Sequence, residues 1–153
     1  MGVINVYQYF TGTIDGRPVQ GGSLSEARSI TVSDEELIDR TFKVGTESAV
    51  KVFDKTEDEA LGDFDFLYME CDLDVLVQFT TDAGTDDEYF VVELKGSGTS
   101  NVMGPALVLG SDLAHQFDGT VDTFDGTEDT IDEIWIFNED DTDTARVRLV
   151  VAT

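Results

Sequence analysis

The segment ARVRLVVA, Ala145 to Ala152, sets Ala145, Val147, Leu149 and Val151 on one series of alternate positions and Arg146, Arg148 and Val150 on the other. Successive side chains of a strand point to opposite faces, so this period of two gives one apolar face and one largely basic face. The apolar series should enter a core, and the two arginines should look outward. The same alternation sets Val75, Val77 and Phe79 against Leu76, Gln78 and Thr80. Further strands are expected at Gly2–Phe10, Ala49–Phe53, Phe64–Cys71, Glu88–Leu94, Pro105–Leu109 and Ile131–Phe137. Short strands parted by Gly, Asp and Thr predict an all-β chain, and a jelly-roll-like β-sandwich is the architecture that suits two sheets with a long acidic connection.

One stretch argues for a helix. In SDEELIDR, Ser33 stands as an N-cap, Glu36 closes a capping box and the acids of the first turn suit the helix dipole, which predicts one short helix near residues 34–40. Asp15–Gly16 and Arg17–Pro18 are turn chemistry, so residues 1–50 read as a strand-and-loop section and 51–153 as the sandwich, together one structural unit. FDGTVDTFDGTEDTID, Phe117 to Asp132, has no apolar face and reads as an exposed loop joining two sheets. The strands around Trp135 and at Ala145–Ala152 read as a closing hairpin with NEDDTD at its tip.

Charge excludes one class of partner. The chain holds 33 Asp and Glu against 9 Lys and Arg, a net −24, and residues 61–153 alone carry 22 acids and 3 bases. Such a surface repels phosphate, so direct nucleic-acid binding is not expected. It favours solubility and suits a saline medium, where counterions screen self-repulsion. The N-terminal MGVINVYQYF has no basic and apolar signal-peptide pattern, and no apolar run approaches the ~20 residues of a membrane helix, so a soluble chain made in the cytoplasm without a membrane partner is expected.

Carboxylates invite a search for calcium. Asp118, Asp122, Asp125, Glu128 and Asp129 could supply several oxygen ligands, but the spacing matches neither an EF-hand nor a repeated calcium nonapeptide, and a solvated acidic loop is the expectation. No metal and no cofactor is therefore assigned. Cys71, alone of its type, lies in the apolar run FDFLYMEC and reads as a small buried residue. His115 is the single histidine, with no nucleophile elbow for it to serve, and the motifs of phosphate loops, dinucleotide sites and zinc hydrolases are absent. An enzyme is not expected. Trp135 alternates with Ile134 and Ile136 and so faces away from them, as core, subunit interface or, with Tyr7, Tyr9, Tyr68 and Tyr89, a sugar-stacking platform.

The succession from KVFDKTEDEALGDFDFLYMECDLDVLVQFTTDAGTDDEYFVVEL through PALVLGSDLA to IDEIWIFNEDDTDTARVRLVVAT resembles head-decoration and minor virion proteins of tailed bacteriophages with a jelly-roll-like domain, over roughly Lys51 to Thr153. The resemblance implies a structural role at the capsid surface: binding to the major capsid protein of the assembled head, often as a homotrimer, with no catalytic residues. The less acidic N-terminal part, with Arg17, Arg28, Arg40 and Lys43, is then the segment expected to approach the shell. Arg146 and Arg148, the only bases after Lys95, should pair with carboxylates of a neighbouring strand or, preferably, a neighbouring subunit, and Trp135 joins the interface residues. The alternative is a calcium- or carbohydrate-binding β-sandwich module such as a receptor-binding knob.

Overall fold

A computed structural model describes residues 2–23, 25–32, 37–56, 64–81, 88–109, 113–118 and 123–152. Within these, only the backbone is described for Phe10, Ile14, Arg28, Val32, Glu88, 113–118 and 123–129. Thirteen strands and no helix occupy the described residues. In chain order they are β1 Gly2–Val6, β2 Tyr9–Ile14, β3 Arg17–Gly22, β4 Arg28–Val32, β5 Leu37–Val44, β6 Ser48–Asp54 and β7 Phe66–Cys71. Then follow β8 Val75–Thr81, β9 Glu88–Leu94, β10 Leu107–Leu109, β11 Leu113–Asp118, β12 Thr123–Asn138 and β13 Ala145–Ala152.

Two sheets pack as a sandwich. Sheet one runs β10-β7-β13-β5 and sheet two β6-β12-β8-β9, with β11 paired to the N-terminal half of β12. Between them lie the inward series of each strand: Leu67, Met69 and Cys71 of β7, Val75, Val77 and Phe79 of β8, Ile134 and Ile136 of β12, and Ala145, Val147, Leu149 and Val151 of β13, all buried. The apolar series read from ARVRLVVA and from VLVQFT is therefore the inward one in both strands, although Thr80 of the opposite series is buried as well. At about 1.5–3 kcal/mol for each fully buried branched or aromatic side chain, this layer is the main source of stability. Phe53 and Phe64 add an edge-to-face contact, 5.8 Å between centroids at 89°.

Sequence expectations change at several places: the strand expected over Gly2–Phe10 is broken between Val6 and Tyr9, Arg17–Pro18 open β3 instead of making a turn, and three further changes bear on the sandwich. Leu37–Arg40 are not helical: they open β5, which pairs antiparallel with β13 from Leu37↔Ala152 to Val44↔Ala145. Residues 33–36, with the capping box, lie outside the described residues. The ladder with β13, with Val44 buried and Ile38 and Phe42 partly buried against the core, overrides the local helix preference of Leu37–Arg40. Second, the acidic stretch from Phe117 to Asp132 is largely strand, since β11 and β12 pair from Leu113↔Thr130 to Asp118↔Thr123 around residues 119–122, which are not described. Backbone hydrogen bonds do not require an apolar face, and β12 simply continues the buried strand Ile131–Asn138 outward. Third, β12 and β13 are not a hairpin. They belong to opposite sheets, and NEDDTD arches between them across the core.

The chain crosses between the sheets repeatedly, and at three of these crossings, this arch, β5 to β6 and β7 to β8, two buried polar side chains pin the connection. Asn138 donates from Nδ2 to the carbonyls of Val44 (3.2 Å), Gly45 (3.2 Å) and Asp143 (2.8 Å) and accepts at Oδ1 from the Asp140 amide (3.1 Å). The carboxylate of Asp72 accepts from the amides of Arg146 (2.7 Å) and Asn101 (2.8 Å). Neither residue has measurable exposure, so their polar atoms are satisfied by protein rather than by water.

The described residues among the first 32 stand apart from this core. β1 pairs with β4, and β2 with β3, making a ribbon of two ladders joined where the Ser23 amide bonds the Gln8 carbonyl at 2.8 Å. Asp15 (φ 49°) and Gly16 (φ 75°) form the tight turn between β2 and β3, the left-handed pair that Asp-Gly is suited to. Ile4, Val6 and Ile30 of the ribbon pack on Phe66, Tyr68, Val108, Val150 and Ala152, a second small apolar cluster on the outer face of sheet one.

Candidate docking surfaces

The outer face of sheet two is set by parity. Because Ile134 and Ile136 point inward, Glu133, Trp135 and Phe137 point out, beside Leu76 and Gln78 of β8, Val91 of β9 and Ala49 of β6. Ala49, Leu76, Gln78, Val91, Trp135 and Phe137 line an open groove of about 410 Å³ with no charged side chain in its wall. Phe137 is 36% and Val91 47% exposed. Trp135 is thus an outward, half-buried residue and not part of the core. Of the four tyrosines, Tyr89 shares this sheet face, opposite Thr80, while Tyr7 and Tyr9 lie in or beside the ribbon and Tyr68 lies on sheet one under it.

Trp135 is held from two sides. Its Nε1 donates to Glu133 Oε2 at 2.8 Å, and the Lys51 ammonium lies 5.4 Å from the ring centroid. Lys51 in turn bonds Asp54 and, at 3.0 Å, Glu133. These bonds, that to Asp54 foremost, hold the lysine well above its ordinary value and the Asp54 carboxyl well below the usual carboxylate range. Thr56 assists, donating to Asp54 Oδ1 from its amide (2.8 Å) and its hydroxyl (2.7 Å). The indole is therefore a fixed surface rather than a free rotor.

On sheet one the outward series of β13 meets its flanks. Arg148 donates to Asp39 of β5 through Nε (3.0 Å) and Nη2 (2.8 Å), and through Nη1 to Glu70 of β7 (3.5 Å). The paired hydrogen bonds hold Asp39 below the usual carboxylate range. Arg148 is thus engaged within the subunit. Arg146 is half-buried, its backbone bonded to Asp72, and its side chain has no ion pair among the described residues. Tyr68, under the ribbon, donates to Glu70 at 2.6 Å, and burial with that carboxylate pushes its hydroxyl up to about 12.

The ribbon differs from the body in charge. Residues 1–32 hold two acids, Asp15 and Glu26, and two arginines, Arg17 and Arg28, so they are neutral and the rest of the chain carries the whole −24. Arg17 is exposed at the start of β3 and has no ion pair among the described residues, while Arg28 faces Val6 in register. Val3, Tyr7 and Tyr9 are 61%, 56% and 45% exposed.

The remaining sequence candidates divide. Asp118 lies at the end of β11 and Asp125, Glu128 and Asp129 on β12, with backbone only, and Asp122 is outside the described residues. Among the described residues no three metal-ligating side chains converge. His115 stands opposite Glu128 in the ladder. Cys71 is buried with its thiol against the Leu94 carbonyl, and burial pushes it up to about 12, which keeps it protonated and unreactive. No described helix is long and apolar enough to cross a membrane. Phe137, Val91 and Leu76 were not singled out by sequence reasoning, though each shares parity with Trp135 or pairs beside it, and Asn138 could have been found as a polar residue on the inward series of Ile134 and Ile136.

What these elements define is an all-β sandwich with two separate exposed apolar regions on an acidic body. Comparison of the chain with protein-family models, with curated proteins and with solved structures finds no match.

Proposed function

We propose that the chain is a non-catalytic virion structural protein of a tailed bacteriophage, a decoration protein that binds the outside of the assembled head and stabilises it. The observation that supports this reading best is the separation of charge from apolar surface. A body of net −24 keeps a ribbon of zero net charge and, on the outer face of sheet two, a groove with no charged side chain in its wall, where another protein can close without burying unpaired carboxylates. The partners in this reading are the major capsid protein and further copies in a homotrimer, at the capsid surface, with neither nucleic acid nor membrane engaged and no cofactor.

The finer architecture proposed is a jelly roll. In support, β5-β13-β7-β10 opposite β6-β12-β8-β9 interleaves the eight sandwich strands in the order that two Greek keys produce, with β11 added to β12. The test is to add purified chain to expanded heads that lack decoration. Co-sedimentation and a higher temperature of head disruption are expected; heads that neither bind the chain nor gain heat resistance would sink the reading.

One observation favours a second reading, a carbohydrate-binding module: the fixed indole of Trp135 lines an open groove beside the Gln78 amide. Glycan binding abolished by Trp135→Ala is its signature.

A further inference from the structure

We infer that the neutral ribbon of one copy docks on the outer face of sheet two of a second copy, a head-to-tail contact. This rests on the self-association included in the function proposed above and names the surfaces that make it. Of the nine exposed large apolar side chains among the described residues, two groups of three stand out, Val3, Tyr7 and Tyr9 on the ribbon side and Tyr89, Val91 and Phe137 on the outer face of sheet two, while Leu37, Phe90 and Val102 belong to neither. The two places are on opposite sides of the molecule. Ile4, Val6 and Ile30 bind the ribbon to the outer face of sheet one, whereas the groove alternates with core residues of sheet two. A copy therefore cannot cover its own groove with its own ribbon, and the contact is between molecules.

Charge selects this pairing over the symmetric one. Two grooves face to face would bring two bodies of −24 into direct contact, whereas a ribbon on a groove interposes a net-neutral segment with exposed Arg17 between the two acidic bodies and so lessens their repulsion. Two ribbons meeting would leave both grooves in water. A head-to-tail contact uses two different patches on each copy and closes into a ring when its rotation permits.

The test uses two full-length variants, Tyr9→Glu on the ribbon and Val91→Glu on the groove, at positions 45% and 47% exposed, where the sandwich core is untouched. In size-exclusion chromatography with light scattering, the wild type should self-associate, and each variant alone should run as a monomer. An equimolar mixture should recover a dimer of one chain of each kind, since each variant keeps the surface that the other has lost. A monomeric wild type, a variant that assembles like the wild type, or a mixture that stays monomeric overturns the inference. Head binding by the wild type is read separately: if it persists while the mixture stays monomeric, the decoration reading stands without this contact; if it fails while the mixture pairs, the contact stands alone.

Discussion

Arg148 grips Asp39 with two parallel hydrogen bonds, Nε to Oδ1 at 3.0 Å and Nη2 to Oδ2 at 2.8 Å, across the β13–β5 ladder on the outer face of sheet one. With Glu70 on the other flank, the guanidinium ties three adjacent strands, and reversing its charge would place three carboxylates together. Arg148→Glu is expected to lower the melting temperature by roughly 2–4 °C, because exposed pairs are screened and contribute modestly. The loss should shrink in high salt. A melt that is unchanged at low salt, with only assembly affected, would return Arg148 to the subunit interface.

Much of this arrangement was legible in ARVRLVVA, because strand parity depends on local sequence alone: the buried and outward series of β13 and β8 follow from a period of two. What parity cannot supply is the partner of a strand. SDEELIDR has honest helix signals, but Leu37–Arg40 pair with the far end of the chain, a contact over a hundred positions away that local propensity does not contain. NEDDTD reads equally well as a hairpin tip or as an arch, since Asp140 caps local amides of Thr142 and Asp143 in either case, and only the sheet assignment of β12 and β13 separates the two. Trp135 repeats the point: its parity was readable, but whether its face met core or solvent depended on what lies over sheet two.

Leu149, 1% exposed at the middle of β13, probes the main core, and Val150, half-buried beside it, probes the small cluster under the ribbon. Leu149→Ala should cost about 2–5 kcal/mol in urea unfolding, by lost transfer energy and the cavity left behind. Val150→Ala should cost clearly less, with the midpoint moved only slightly. Equal losses would mean that the ribbon and sandwich share one core.

Gly22 is the joint of the ribbon. Its φ is 78°, and a Cβ there would lie 1.9 Å from the Gln8 carbonyl oxygen, which accepts the Ser23 amide. Gly22→Ala should break that bond and separate the β2–β3 ladder from β1–β4. Amide exchange at Ser23 should accelerate at least tenfold while amides of β13 keep their protection; an unaltered Ser23 amide would show that the joint tolerates a side chain.

Asp54 makes stability depend on acid. Its carboxyl is held below the ordinary range, first by the Lys51 hydrogen bond and then by Thr56, so the folded state binds its proton less readily than the unfolded chain. The stabilisation is present above the unfolded value of about 3.9 and is lost as pH falls through and below it. Asp54→Asn, which keeps an acceptor for Thr56, should therefore melt a few degrees below the wild type at neutral pH, with the gap closing below about pH 4. A gap that widens with acid would reverse the sign and remove Asp54 from the account.

Trp135 is the only tryptophan, half-buried on the outer face of sheet two, so its fluorescence reports on that face alone. A second chain closing over the groove removes water from the indole and shields it from a dissolved quencher. Acrylamide quenching should fall and emission should move to shorter wavelength as wild-type concentration rises through the range of assembly. Added salt should shift that range lower, because bodies of net −24 repel one another until counterions screen them. The Val91→Glu variant should keep the spectrum of the dilute wild type at every concentration. Assembly detected by light scattering with no change at Trp135 would place the interface elsewhere on the molecule, and the groove would remain open to a ligand of another kind.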